Sequence, residues 1–259
     1  MEQDIHELVS LAGHRNKYQA FIVGIVFLIW VNTSVINYSL AFLESMPEIT
    51  HVVEENGSQI LKAETLTYEI CDKDYDVKHR HEHSAFTDFN DGTECHQLKV
   101  SLIGTVNYIG STIGNIFFGS VSDLIGTKRH LVAYHILYAV FLVVGIVFKS
   151  NYYVFQLSNL IAQYACKSLI NASLVLFGEI IDYKLKTITN GLINSGLGVG
   201  GMFYVLMFLL IKKWYYVYIV SIDIALATAL IVQIWFYDSM KECLLNKDFE
   251  KFKIGRAHV

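Results

Sequence analysis

Proline is almost absent: Pro47 is the single one among 259 residues. With so few breakers, long helices can run without interruption. Charge is scarce too, at 17% of the residues, and the net balance is only −4. Nothing in that balance points to nucleic acid, and no nucleic-acid partner is expected. Four cysteines are too few for a disulfide-built scaffold. No Ser/His/Asp arrangement, paired catalytic carboxylates or metal-ligand motif lies on a defined scaffold, so neither an enzyme nor a cofactor is expected. Gly198-Val-Gly-Gly is not a phosphate loop, because no strand precedes it and no Lys-Ser/Thr follows.

What the chain does have is apolar mass, 53% of all residues, gathered into blocks. A soluble domain would interleave apolar with polar residues at helical or strand period. These blocks instead match or exceed the roughly 20 residues that cross a bilayer. Six spans are expected, over residues 20–43, 100–124, 130–148, 152–181, 188–211 and 214–237. The expected fold class is an all-α membrane protein, a six-transmembrane-helix bundle embedded in a lipid bilayer. Around the spans, residues 1–19 form an N-terminal lead, 44–98 a long loop, 99–237 helices two to six, and 238–259 a tail. The first block is too long for a signal-peptide core and lacks a small-residue cleavage site, so it is expected to remain as a helix.

The cations set the orientation. Arg15, Lys17, Lys128, Arg129, Lys184, Lys186, Lys241, Lys247, Lys251 and Lys253 share the side of the termini. The short loops opposite carry Lys149, Lys212 and Lys213. Positive charge stays with the cytoplasm, so both termini are expected there, in the plasma membrane. Loop 44–98 then faces outside. It is acidic, it contains the sequon Asn56-Gly57-Ser58, and it holds Cys71 and Cys95. Asn56 is therefore the glycosylation candidate and Cys71–Cys95 the disulfide candidate in an oxidising exterior. Sequons at Asn32 and Asn171 fall inside spans, out of reach of modification. His79, His81 and His83 alternate in the same loop, near His96, as solvated imidazoles rather than a metal site.

Between the second and third spans runs Gly119-Ser-Val-Ser-Asp123-Leu-Ile-Gly126-Thr-Lys128-Arg129. A helix must end there, turn at Gly126, and restart near His130. Asp123 opposes its own helix dipole, so a neighbouring helix N-terminus or a cation has to compensate it. The segment resembles the loop motif G-x-x-x-D-x-x-G-[RK]-[RK]-x of major facilitator transporters. Gly119, Asp123, Gly126, Lys128 and Arg129 match, and Thr127 departs. Asp4-Ile-His-Glu-Leu8, with Gly13 and Tyr18-Gln19, is similar to the N-terminal lead of the organic cation/anion carriers of that superfamily. Glu179-Ile-Ile-Asp-Tyr-Lys184-Leu-Lys186 resembles the acid-to-base stretch after their fourth helix, with Lys186 where an arginine is usual. Asp238-Ser239-Met-Lys241, leading to Leu244, Leu245 and Lys247, resembles the motif after their sixth helix, one residue shifted around Cys243. The resemblance implies the N-terminal half of a major facilitator fold, with Asp123, Arg129, Glu179 and Lys186 in the cytoplasmic gate. It also implies a missing C-terminal six-helix half as partner.

Polar groups inside spans are costly and face a cavity or each other. Gln156, Asn159, Gln163, Lys167 and Asn171 recur at steps of three and four, one stripe of the fourth helix. Helix one offers Asn32, Thr33 and Asn37. The resemblance implies that helices one and four line the substrate cavity, so these residues, with Asp223 as the one deep acid, are the expected lining, and Lys167 is a structural partner of Asp223, a lysine snorkelling to the surface or a substrate contact. A lysine in that role favours an anionic solute. Gly110/Gly114 and Gly196/Gly200 form two G-x-x-x-G pairs that let helix backbones approach.

The last residues, Ile254-Gly-Arg-Ala-His-Val259, match one frame of a common sequencing adapter, so 254–259 is expected to be artefactual and the chain truncated. The function expected is secondary active or facilitative transport of a small organic ion or polar solute by alternating access. The alternatives are a sugar-porter-like carrier and a non-transporting six-span receptor or scaffold.

Overall fold

The computed structural model describes residues 16–39, 43, 48–49, 52–53, 64–65, 76–77, 97–181, 183–211 and 213–236. Asn56, Cys71, Cys95, the loop histidines, the N-terminal lead and the post-helix-six motif lie outside the described residues, as does the side chain of Glu179.

Among the described residues six long helices follow in order: α1 (Asn16–Tyr38), α2 (Gln97–Ile125), α3 (Thr127–Val147), α4 (Tyr152–Ile180), α5 (Tyr183–Ile211) and α6 (Trp214–Trp235). Between α1 and α2 the described residues form four two-residue strands in two antiparallel pairs. β1 (Glu48–Ile49) pairs with β3 (Glu64–Thr65), and β2 (Val52–Val53) with β4 (Asp76–Val77).

Five of the six helices are long and apolar enough to cross a membrane. The second expected span is a helix of 29 residues but falls short in apolar content. Asn107, Ser111, Thr112 and Asn115 dilute it, and the first and last two of these have their side chains bonded within α2 or across to α4. Element ends shift from expectation for local reasons. The α3 helix begins at Thr127 rather than near His130, because Gly126 alone makes the turn. The start of α4 is capped by Asn151, whose side chain accepts from the Val154 amide at 3.3 Å. Tyr152 and Tyr153 at the head of α4 share one end of the bundle with Trp214, Tyr215 and Tyr216 at the head of α6. Lys149 lies 5.1 Å over the Tyr215 ring there. Such a belt of amphipathic rings belongs at a membrane–water boundary.

Packing pairs the helices in a reciprocal pattern. The second helix of the first triplet, α2, lies on α4, and the second helix of the second triplet, α5, lies on α1. Likewise α3 packs on α4 and α6 on α1, while α1 meets α4 and α3 meets α6. Equivalent helices are three positions apart in the chain, an odd offset, so the two triplets run in opposite senses, an inverted repeat within one bundle.

Glycine makes both interlocking crossings. A Cβ on Gly110 would strike the Leu160 carbonyl, and one on Gly114 would lie 2.7 Å from the Tyr164 oxygen and 2.9 Å from Lys167 Cβ. On the other side Gly196 sits over Phe27 and Trp30, and a Cβ on Gly200 would strike Ser34 and Val31. Lipid gives no hydrophobic drive between helices, so close approach of small residues supplies dispersion contact instead. Each triplet thus holds the other by one G-x-x-x-G face.

Candidate functional site

The interior of the bundle is tied by hydroxyls and amides. Asn32 Oδ1 on α1 accepts from Tyr204 Oη on α5 at 3.1 Å and from Ser221 Oγ on α6 at 2.9 Å. Ser221 spends its only proton on Asn32, so the 2.9 Å contact to Tyr138 Oη on α3 must be donated by the tyrosine. One amide oxygen therefore gathers four helices. Tyr218 on α6 donates to Asn159 Oδ1 on α4 at 3.3 Å. Asn32 and Asn159 are almost fully buried, at 2% and 1% exposure. Thr33 is buried as well and bonds the Trp30 carbonyl of its own helix. Gln156, also buried, donates to Tyr152 one turn earlier.

The polar stripe of α4 thus divides. Its first part, Gln156 and Asn159, is enclosed by the bundle, while Gln163 reaches across to α1 and donates to Asn37 Oδ1 at 2.9 Å. Lys167 and Asn171 are half-buried, on the side of α4 that meets α2. Asn171 donates to Asn115 Oδ1 on α2 at 3.0 Å. Lys167 stands between these two bridges, midway along α4, with its Cβ against Gly114. Its stem is held by the glycine crossing. Among the described residues no carboxylate pairs with it. Asp223 is not brought to Lys167: it is exposed on the outward face of α6.

The connection between α2 and α3 is a single residue. Gly126 has φ 84° and ψ 148°, a conformation open in practice to glycine alone. Its amide bonds the Ser122 carbonyl at 3.0 Å and its carbonyl accepts from His130 at 2.9 Å, so both ends of the turn are satisfied. Asp123 and Arg129 flank it exposed, Lys128 is half-buried and Gly119 is exposed with open space over it. Lys186, at the start of α5, folds back so that Nζ lies 3.8 Å from where a Cβ on Gly178 would be. A cation there lies over the last turn of α4, whose carbonyls carry the negative end of the helix dipole.

Several contributors escaped the sequence reading. Asn115, Tyr138, Tyr204, Tyr218 and Ser221 are ordinary residues in membrane helices, and nothing in one helix's spacing says which of them meet. His130 is fully buried, stacked 4.1 Å on the Tyr134 ring, with Phe118 edge-on at 5.4 Å.

An inverted pair of helix triplets, locked by glycine crossings and carrying a polar flank on an otherwise apolar body, defines a multi-pass membrane protein of the carrier type. The model of the Major Facilitator Superfamily matches residues 22–256, and the chain belongs to that superfamily. It is similar to the Xenopus laevis protein "Solute carrier family 22 member 15-like", at 23% identity over 219 residues. The match covers 82% of this chain and 41% of that relative, so the chain spans less than half of the relative's length.

Proposed function

We propose that this bundle is one half of a carrier that moves a small organic ion or polar solute by alternating access against a second six-helix half. One observation carries the solute site: the half-exposed Lys167, held midway along α4 against Gly114 of α2. The Gln163–Asn37 bridge lies above it and the Asn171–Asn115 bridge below. A lysine there has its stem held by Gly114 and no carboxylate partner among the described residues, the arrangement that suits a carboxylate-bearing or otherwise anionic solute. Asn32 and Asn159, locked within the bundle, hold the helices that carry this site. Gly126, Asp123, Lys128, Arg129, Glu179 and Lys186 would close the cytoplasmic side, with both termini on that side of the plasma membrane. In that orientation Asn56 is a glycan site and Cys71–Cys95 a bridge outside.

The test is uptake by the complete carrier, both halves present, reconstituted in vesicles and offered labelled organic anions, organic cations and sugars. Uptake of an anion that falls at least tenfold in Lys167→Ala and is partly kept in Lys167→Arg supports the site. Anion uptake untouched by Lys167→Ala refutes it. Saturable solute binding to the outer loop with no flux would favour the receptor alternative.

A further inference from the structure

The two broad faces of the bundle differ. On one, α2 and α5 expose Thr105, Thr112, Asn115, Asn190, Asn194 and Ser195 among their apolar residues. On the other, α3 exposes Ile136, Val140, Val143 and Val147, an unbroken apolar row suited to lipid. The α6 helix continues that second face with Tyr216, Ile219, Leu226, Leu230 and Ile234 at steps of one helical turn. Asp223 stands in the middle of that row, exposed. It lies nine residues into a 22-residue helix, close to the centre of the apolar layer and beyond reach of headgroups, at about 1.5 Å per residue. A carboxylate in hydrocarbon without a donor is among the costliest placements in a membrane helix, and such groups mark contacts. No bond or ion pair joins it to another described residue.

We propose that the outward face of α6 docks a transmembrane helix of a partner protein, one that presents a basic side chain at mid-membrane to Asp223. Charge complementarity selects this occupant over a second copy of the chain. In a symmetric pairing through the α6 row, Asp223 would meet its own equivalent, a like charge, and its neighbours Ile219, Leu226 and Ala227, none of which carries a positive charge. The nearest cation on α6 is Lys213, ten residues earlier at the helix mouth. Lipid tails offer nothing to a carboxylate. The inference rests on membrane insertion and on the α6 geometry, not on the transport reading, and it stands or falls separately.

The test uses the full chain in phosphatidylcholine vesicles, donor-labelled, with acceptor-labelled polyleucine helices carrying a central Lys, Leu or Asp. Energy transfer should show the Lys helix associating roughly five- to tenfold more strongly than the Leu helix, the size of one buried interhelical polar contact. Asp223→Leu should erase the preference, while Asp223→Asn keeps a smaller one. Asp223→Leu leaves internal packing alone and should fold; Asp223→Asn gives the answer if it does not. Equal association of Lys and Leu helices, or a preference that survives Asp223→Leu, overturns the proposal. So does self-association of the chain that is lost in Asp223→Leu, because the face would then belong to a second copy.

Discussion

Gly198 and Gly200 sit two residues apart on α5 and face opposite ways, so the same added methyl should have opposite outcomes. A Cβ at Gly198 meets nothing within 4 Å, and the residue is exposed. At Gly200 it would overlap the Ser34 hydroxyl and the Val31 carbonyl, and it would lie 2.8 Å from Val31 Cα. The serine could turn away, although it would give up its 2.6 Å bond to the Val31 carbonyl. The Val31 backbone cannot move without the whole of α1 moving. Gly200→Ala must therefore separate α5 from α1, and overpacking of this kind costs about 1–3 kcal/mol. For a bundle of this size that is a fall in apparent Tm of roughly 3–10 °C. Gly198→Ala relieves a helical glycine at no steric cost and should be neutral or slightly stabilising, by up to about 1 kcal/mol. Thermal unfolding of the two variants in the same detergent, followed by circular dichroism, compares them directly. If Gly200→Ala melts with Gly198→Ala, the α1–α5 crossing is looser than described and the reciprocal locking of the two triplets is wrong.

Other outcomes follow from the same geometry. Gly126→Ala forces a side chain into a backbone region that only glycine occupies readily and should lower stability by about 1–3 kcal/mol, whereas Gly119→Ala, with open space above it, should not; detergent melts of the two decide it. Asn32→Leu strips the acceptor from Tyr204 and Ser221 together and should cost roughly 1–3 kcal/mol for two interhelical bonds. Adding Tyr204→Phe to Asn32→Leu should then cost little more, since the Tyr204 hydroxyl has already lost its acceptor, and full additivity in a mutant cycle would deny the network. Asn115→Leu should weaken the α2–α4 seam through Asn171 by less than Asn32→Leu, because that bond lies on the exposed flank.

The helical bundle was legible because membrane helices announce themselves by length and apolar run. Even so, α2 shows the limit of that rule: its amides and hydroxyls lower its apolar content below that of the other five, and only its neighbours explain them. The glycine pairs were legible as contact faces, but not which helix each would meet. Among the site residues, the α4 stripe was visible as a period of three and four. Its division into an enclosed first part and a half-exposed middle was not, because burial at Asn159 and partial exposure at Lys167 are decided by the neighbouring helices. Asp223 shows the same limit from the other side: as the one deep acid it invited pairing with Lys167, but the turn of α6 that places Ser221 against Asn32 points Asp223 outward.

By itself the sequence determined that this chain enters a membrane, where helices break and where glycine is obligatory at the α2–α3 turn, since these depend on local solubility and on the steric limits of one residue. Which polar groups satisfy one another, and which are left facing outward, only the tertiary structure decided. Those outcomes depend on the rotation of each helix about its own axis, and that rotation is set by contacts between helices far apart in the chain.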